Sequence, residues 1–263
     1  MKIVCLMENT TENPALRAEH GLSLYIETGQ RRILFDAGQS GAFADNAARL
    51  GVDLSLADTA VLSHGHNDHG GGLSRFLEIN DHAKICARQD VFGAYFNAEG
   101  KFIGLPAMLA DSGRFFWTED QADIGDGISL CSCNGKNRPY GTDSAGLTAE
   151  KDGRRIPDPF LHEQYMMIHE GEKNVLFSGC SHKGILNLME WFHPDVVIGG
   201  FHFMKKDLSS GKNDFLDEAA AVLNGYDAVY YTCHCTGVPQ YQYLRKKMGQ
   251  KLRYLSAGEE IRI

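Results

Sequence analysis

The sequence lacks the features of a chain that is inserted into a membrane or exported. No stretch of its 263 residues approaches the ~18 consecutive apolar residues that a membrane span requires. The first residues, MKIVCLMENTTEN, have an apolar part too short for a signal peptide and no small-residue cleavage site. Seven cysteines, an odd number spread over the chain, indicate free thiols in a reducing compartment. We therefore expect a cytoplasmic protein with no membrane partner.

Positive charge is also scarce. Lysine and arginine number 26 against 34 aspartates and glutamates, so the formal net charge is −8. Because a nucleic-acid backbone is recognised by clustered Lys and Arg side chains, this balance disfavours nucleic acid as the main partner. A small anionic substrate, such as a phosphorylated molecule, is compatible with this charge, because a bound metal ion can supply the missing positive charge.

Two motifs of nucleotide and acyl chemistry are missing as well. The sequence contains neither the Gly-x-Ser-x-Gly turn that exposes a nucleophilic serine nor the phosphate-cradling loop Gly-x-x-x-x-Gly-Lys-Ser/Thr. What is present is a globular composition with 43% apolar and 23% charged residues. Glycine accounts for 29 of the 263 residues, which is above the usual share of about 7%. This excess indicates many tight turns or close backbone approaches.

Short apolar runs alternate with turn signals and helical spacings, which predicts an α/β chain. Predicted strands are 2–7, 22–28, 33–36, 59–63, 84–87, 164–168, 174–178, 196–198, 228–232 and 253–255, and predicted helices are 40–50, 71–79, 184–192, 215–223 and 239–248. The middle, 97–159, is predicted to hold short strands and long loops, with a polar, glycine-rich loop or lid at 137–158. Since no Pro/Ser/Gly-rich linker separates the halves, we expect a single domain over 1–263.

The strongest signal directly follows the predicted strand 59–63. Four metal-competent side chains fall within six residues: His64, His66, Asp68 and His69. His64 and His66 are two residues apart and point the same way in an extended segment, whereas Asp68 and His69 follow a bend and can face a second point. Imidazole nitrogen and carboxylate oxygen suit zinc, with manganese or iron as further possibilities. A surface loop holding three histidines by chance is the less economical interpretation.

These four residues form the pattern H-x-H-x-D-H, and the sequence resembles the metallo-β-lactamase superfamily. Asp36, in Asp36-Ala37-Gly38, is similar to the aspartate of the family that orients a ligand histidine. The resemblance implies an α/β fold, a four-layer αβ/βα sandwich, with two divalent ions, zinc foremost, at one edge between the sheets. The segments around Cys180 and His234 resemble the branch of dihydropterin-ribofuranosylaminobenzene-phosphate-synthase-like hydrolases, a label that fixes no substrate.

The resemblance also implies ligands farther along the chain. Cys180 stands where the family has a bridging carboxylate, so either a thiolate replaces that group or one metal site is weak. For the third histidine of the first metal the resemblance favours His182. His162 is the competitor, because it precedes the strand 174–178 as a common ligand histidine of the family does.

His234 is the implied last ligand of the second metal. It follows the strand 228–232, and its neighbours Cys233 and Cys235 are expected to point away from the site in an extended segment. His202 also follows a strand, so it is a candidate catalytic residue that donates a proton to the leaving group or holds the substrate. A histidine that merely satisfies its hydrogen bonds at the sheet edge is the alternative.

The function expected from these residues is hydrolysis of a small ester or phosphodiester by metal-activated water. Asp68 is the second candidate catalytic residue, because it would both ligate a metal and orient the nucleophile. A di-iron oxidoreductase is one alternative, but such relatives have glutamate at the position of His66. A metal-binding module without catalysis is the other alternative.

The substrate itself is not readable from the sequence. An aromatic-rich stretch is a candidate wall for a flat heterocycle, although core packing is the commoner role of such clusters: Phe92, Tyr95, Phe96, Phe115, Phe116 and Trp117. Four cations are candidate phosphate partners: Arg88, Arg138, Arg154 and Lys183.

Overall fold

A computed structural model describes residues 1–142 and 144–263 of the chain. Strands β1 to β17 are Lys2–Met7, Ser23–Glu27, Arg32–Phe35, Thr59–Val61, Lys84–Arg88, Tyr95–Phe96, Phe115–Thr118, Gln121–Gly125, Ile128–Cys131, Thr148–Lys151, Arg154–Pro157, Tyr165–Glu170, Lys173–Ser178, Val196–Gly199, Val229–Thr232, Leu252–Tyr254 and Glu260–Arg262. Helices α1 to α6 are Ala42–Arg49, Asn67–Gly70, Leu73–Ile79, Ile185–Phe192, Asp214–Asn224 and Val238–Met248.

Two seven-stranded sheets are built on the same plan. The first has the order β17-β1-β2-β3-β4-β5-β7 and is antiparallel as far as β3 and parallel from β3 to β7. The second has the order β16-β15-β14-β13-β12-β9-β8 and is parallel as far as β13 and antiparallel beyond it. A smaller sheet, β11-β10-β6, lies apart from these two.

Apolar side chains that alternate along the strands cover both faces of each large sheet, and both faces pack against neighbouring layers. In β1, Ile3 and Cys5 lie in the core between the two sheets, whereas Val4 and Leu6 pack towards α1 and α3. The second sheet shares the inter-sheet core and packs its other face against α4, α5 and α6. The order of layers is therefore helices, sheet, sheet, helices, which confirms the four-layer αβ/βα sandwich.

The segment 137–158 differs from the expectation of a polar loop, because it contains the hairpin of β10 and β11. Its turn residues Asp152 and Gly153 both have positive φ, 52° and 73°, which is the backbone of a type I′ hairpin turn. The dipeptide Asp-Gly is the sequence signal that would have predicted it. Residue 143 of the same segment lies outside the described residues.

Loops that follow several strands converge at one edge of the sandwich. His64 to His69 follow β4, Cys180 and His182 follow β13, and His234 follows β15. The carboxyl ends of parallel strands lie at the same edge of a sheet, so topology brings the segments after β13 and β15 together. The packing of the two sheets on each other adds the segment that follows β4. Among the helices that the described residues form, none is long and apolar enough to cross a membrane.

Candidate metal centre

The H-x-H-x-D-H segment is a short extended stretch that turns into a single helical turn. His66 has an extended backbone and caps α2, which carries Asp68 and His69. The segment is wedged against its neighbours, since a Cβ on Gly65 would lie 2.3 Å from the Val91 carbonyl oxygen and one on Gly72 would lie 2.1 Å from that of Ala37. Glycine at these positions lets the backbones approach closely, and the three histidines are buried as a result.

The first set of candidate ligands consists of His64, His66 and His182, which we call the imidazole group. One nitrogen from each ring lies within 4.8 Å of the others, and the Nε2 atoms of His64 and His182 are 3.3 Å apart. His66 Nε2 is buried and has no hydrogen-bond partner. Burial lowers the pKa of His64 and His182 well below the ordinary 6.5, so both rings are neutral near pH 7 and offer lone pairs.

The second set consists of Asp68, His69, Cys180 and His234, which we call the mixed group. His69 Nε2 lies 3.2 Å from His234 Nε2 and 3.2 Å from Cys180 Sγ. Asp68 Oδ2 is 3.3 Å from His234 Nε2. Nitrogen, oxygen and sulfur donors therefore converge here, next to the imidazole group, which is close enough that His64, His69 and Cys180 also bring their ligand atoms within 4.8 Å of one another.

A single carboxylate, that of Asp36, supports one histidine in each group. Its Oδ2 lies 2.7 Å from His69 Nδ1 and accepts a 2.7 Å hydrogen bond from the Ser63 hydroxyl. The Ser63 oxygen in turn lies 2.8 Å from His64 Nδ1 and accepts its proton. In both rings Nδ1 therefore carries a hydrogen, and Nε2 is the nitrogen that faces the other candidate ligands.

Charge in the mixed group follows from these contacts. Although burial opposes the shift, Asp36 and Asp68 raise the pKa of His69. Burial also opposes the shift of Asp68, yet His69 and His20 hold the pKa of that carboxyl well below its usual range. Burial lowers the pKa of His234 to about 4 and raises that of the Cys180 thiol well above its usual range. A bound cation is what would ionise the thiol in this setting.

His234 is positioned by two residues that follow β1 and that sequence reasoning missed. Its Nδ1 lies 2.8 Å from Asn9 Oδ1, which leaves Nε2 free to face Asp68. Its backbone N–H donates to the buried Glu8 carboxylate at 2.6 Å. These bonds stabilise a backbone with φ of 47°, an arrangement a histidine rarely adopts. No local pattern marks Glu8 or Asn9, because their partner is 225 or more residues away.

The two competing histidines, His182 and His162, make different contacts. His162 Nδ1 accepts a 2.9 Å hydrogen bond from the Gly65 N–H, so its Nε2 carries the proton that faces Asp158 Oδ2 at 3.1 Å. Both of its nitrogens are thus engaged within the protein. His182 faces His64 with Nε2, and its ring stacks on Phe160 with centroids 4.3 Å apart and planes at 7°.

Cys235 does not point away from the site, contrary to the sequence expectation. His234–Thr236 forms a 3₁₀ turn instead of continuing the strand, and this brings Cys235 Sγ within 4.8 Å of ligand atoms of Cys180 and His234. Cys233 is in the inter-sheet core, as expected. His20, an exposed histidine, has Nε2 3.3 Å from Asp68 Oδ2.

The comparisons with known proteins bear on this geometry. The family model described as the metallo-beta-lactamase superfamily matches residues 16–234, which is most of the chain. This chain belongs to the metallo-beta-lactamase superfamily. The expected resemblance is confirmed, and the superfamily consists largely of metal-dependent hydrolases whose fold binds divalent metal ions.

Two curated relatives come from Methanocaldococcus jannaschii. An uncharacterized protein is 30% identical over 245 residues, covering 89% of this chain and 90% of its own. The second, 7,8-dihydropterin-6-methyl-4-(beta-D-ribofuranosyl)-aminobenzene-5'-phosphate synthase, is 27% identical and covers 100% of this chain and 96% of its own. Among solved structures, Tm1679, a metal-dependent hydrolase of the beta-lactamase superfamily, has a TM-score of 0.83 at 27% identity, covering 100% of this chain and 99% of its own.

Two cavities meet at the centre of this superfamily member. The small cavity, about 350 Å³, is lined by Asp68, Cys180 and His234 of the mixed group and by Asn97 and Lys101. The large cavity, about 750 Å³, extends from His182 between α4 and α5. His182, His202 and Lys205 line both cavities. The His202 ring lies 4.4 Å from that of His182, so it stands at the junction of the two cavities.

The side chains expected to recognise a substrate do not line the two cavities, although the Tyr95 ring lies 5.7 Å from that of His66. None of the six aromatic residues from Phe92 to Trp117 lines either cavity, and Phe115 and Trp117 stack on each other at the edge of the first sheet. None of the four candidate cations lines them either. Lys183 is fully buried and donates to the Ser132 and Glu163 carbonyl oxygens. The residues that the sequence offered for substrate recognition are therefore not those that line the two cavities.

The donor set fits divalent metal ions. The Nε2 atoms of His64 and His182 face each other at 3.3 Å, and those of His69 and His234 face each other at 3.2 Å. In each contact at most one nitrogen can donate to a lone pair of the other. The Nε2 atom of His66 is likewise buried and has no hydrogen-bond partner, so its polar group is unsatisfied without a ligand. A cation between these atoms satisfies all of them at once, and imidazole, carboxylate and thiolate together are typical of zinc.

Proposed function

We propose that this chain is a metal-dependent hydrolase that cleaves a small ester or phosphodiester substrate. The observation that carries the proposal is the pair of ligand groups side by side: three imidazoles, and a mixed set of imidazole, carboxylate and thiol donors. Such adjacent sites are typical of two-metal hydrolysis.

The imidazole group would hold one ion through His64, His66 and His182, and the mixed group a second through Asp68, His69 and His234. Cys180 Sγ lies 3.2 Å from His69 Nε2 and within 4.8 Å of a ring nitrogen of His64, so its thiolate would serve as a further metal ligand. We favour His182 over His162, because both nitrogens of His162 are already engaged with Gly65 and Asp158. Zinc is the proposed metal, with manganese or iron as outcomes that metal analysis would show.

When bound, the ions would supply a water of lowered pKa and positive charge for the oxyanion that develops. Asp68, which is only partly buried and borders the small cavity, would orient that water with its carboxylate. His202, at the junction of the cavities, would donate a proton to the leaving-group oxygen or hold the substrate. Lys205 lies at the same junction and would hold an anionic group.

The test combines metal analysis with a hydrolysis screen of phosphodiesters, carboxylic esters and lactones. His66→Ala and Asp68→Ala should each lose metal and at least 99% of the activity, since each removes one of the proposed metal donors. His82→Ala is the matched control, because His82 is an exposed histidine beside Asp81, far from the centre. Full activity in metal-free protein would refute the proposal.

The second candidate function is transfer of a substrate group to an acceptor other than water. It is favoured by one observation: a relative that covers 100% of this chain is named a synthase. Hydrolysis in ¹⁸O-labelled water separates the two reactions. One labelled oxygen appears in the acid product if water is the acceptor. Unlabelled product joined to an added alcohol or amine would favour transfer.

We also propose that residues 1–263 act as one domain, since candidate ligands come from both sheets. Limited proteolysis should release no half that retains metal.

The seven thiols, none of them in a disulfide among the described residues, support the proposed cytoplasmic location. Localisation of a tagged chain in its own cells would test this.

A further inference from the structure

The large cavity is chemically unlike the small one. Its lining includes aromatic rings, those of Tyr140, Phe203 and Phe215 among them, together with Ile185 and Leu186 from α4. No phenylalanine, tyrosine or tryptophan of the described residues lines the small cavity, which is bordered by amides, carboxylates, histidines and a few aliphatic side chains. One end of the combined space is thus suited to an anionic reacting group and the other to an apolar body.

The apolar walls are held in place before any ligand arrives. Tyr140, which faces Leu186 across the cavity rim, is tied to α4 by a reciprocal pair: its N–H donates to Asn187 Oδ1 at 2.9 Å and its carbonyl accepts from Asn187 Nδ2 at 2.8 Å. Asn187 is fully buried. The Phe203 and Phe215 rings contact edge to face at 5.3 Å. Such rigid aromatic surfaces bind flat groups with little loss of side-chain entropy.

Charge is placed where the two cavities join. Lys205 Nζ donates to the Ala145 carbonyl oxygen at 3.1 Å, which engages one of its three hydrogens. Lys206 Nζ lies 4.4 Å from the centre of the Phe215 ring, and Glu218 lines the same cavity. The ammonium of Lys205 is therefore the cation best placed to contact both a group at the metal centre and a ligand in the large cavity.

We infer that the large cavity binds a flat, largely apolar group of the substrate, so that the preferred substrates are anionic esters carrying an aromatic or heteroaromatic group. This rests on the proposed function for the position of the ester. The volume of about 750 Å³ accommodates a ring system of two or three rings in addition to a linker. Phe215 supplies stacking surface and Lys205 pairs with the negative charge.

The test measures binding, not turnover, by isothermal titration of the metal-loaded protein with phenylphosphonate and methylphosphonate. The two carry the same anion and differ in the flat group. Phenylphosphonate should bind at least about 10-fold more tightly, as expected for burial of one ring. Phe215→Ala should remove most of that preference and leave methylphosphonate binding unchanged. Phe215 is 37% exposed, so truncation leaves the core intact.

Matched controls separate this site from general effects. Phe102→Ala truncates another exposed phenylalanine, which lines neither cavity, and should keep the preference. Lys205→Gln should weaken both phosphonates by a similar factor of about 10, whereas Lys246→Gln, on the outer face of α6, should weaken neither. Equal binding of the two phosphonates, or a preference that survives Phe215→Ala, would overturn the inference. Ring preference without any hydrolysis would refute the proposed function alone, and hydrolysis without ring preference would refute the cavity assignment alone.

Discussion

The imidazole group and the mixed group hold their side chains in different ways. In the mixed group every histidine has a hydrogen-bond partner on Nδ1: Asp36 for His69 and Asn9 for His234. In the imidazole group only His64 has one, through Ser63, while His182 Nδ1 is buried without a partner and the His182 ring rests on Phe160. Hydrogen bonds therefore orient one group, and packing orients much of the other.

The largest effect is expected from Asp36→Asn, because Asp36 is where the two groups share support. The amide cannot accept from both Ser63 and His69 with the strength of a carboxylate. We expect the affinity for both ions to fall by about 10–100-fold. Titration with a chelator of known affinity measures this for each ion.

Asp58→Asn is the matched control, because Asp58 also accepts a backbone N–H, that of Arg32 at 2.6 Å, but lies exposed and away from the centre. Loss of only one ion in Asp36→Asn would show that the two groups are supported independently.

The next effect concerns metal preference in the mixed group. Cys180→Ser removes the thiol that lies 3.2 Å from His69. Zinc affinity should fall roughly tenfold or more while manganese affinity changes less, since thiolate favours zinc. Cobalt-substituted protein should lose its thiolate charge-transfer absorption. Cys131→Ser, at a partly exposed thiol outside the centre, should retain both properties; an unchanged zinc-to-manganese ratio in Cys180→Ser would exclude Cys180 as a ligand.

Acid should destabilise the metal-free protein. Burial lowers the pKa of His64, His182 and His234, the last to about 4, whereas the unfolded chain takes up these protons near 6.5. Their contribution to stability is therefore complete above pH 6.5 and is lost as the pH falls from 6.5 towards 4. His69, whose pKa is raised, acts in the opposite sense.

Thermal melting of metal-free protein between pH 7.5 and 4.5 checks the direction. The melting temperature should fall as the pH is lowered, and exposed His82→Asn should leave the curve unchanged. A melting temperature that rises on acidification would mean that His69 outweighs the three neutral histidines.

The smallest effect is expected from Phe160→Leu, which removes the ring stacked on His182. Packing contributes less orientation than a hydrogen bond, so the affinity for one ion should fall only a few-fold. Asn9→Ala is its counterpart in the mixed group and should weaken the other ion by about 10-fold, because it removes the partner of His234 Nδ1. Stepwise loading followed by calorimetry distinguishes the two ions. A larger effect from Phe160→Leu than from Asn9→Ala would reverse the comparison between the groups.

How far the sequence reached depended on how local each feature is. Most strands of the two large sheets follow from apolar periodicity, and the cluster from His64 to His69 is contiguous, so both could be predicted. Strands β8 and β17, whose exposed or polar residues give little apolar signal, were not predicted. The roles of Asn9, Glu8 and His20 could not, because each acts through a partner far along the chain. Cys235 was misread because one 3₁₀ turn replaces extended backbone. The aromatic lining of the large cavity could not be predicted either, because Phe203 and Phe215 become neighbours only when α5 packs on the second sheet.

The candidate ligands lie at the ends of strands from both sheets, and this placement affects the conformational entropy of the unfolded chain. The facing pairs His64–His182 and His69–His234 are separated by 118 and 165 residues. An ion bound between such partners closes a loop of that length, much as a disulfide does. For loops of this size the chain-entropy treatment of cross-links gives on the order of 5 kcal/mol each. In a chain whose thiols form no disulfide within its described part, the metal ions would thus be the cross-links of the fold as well as its chemistry.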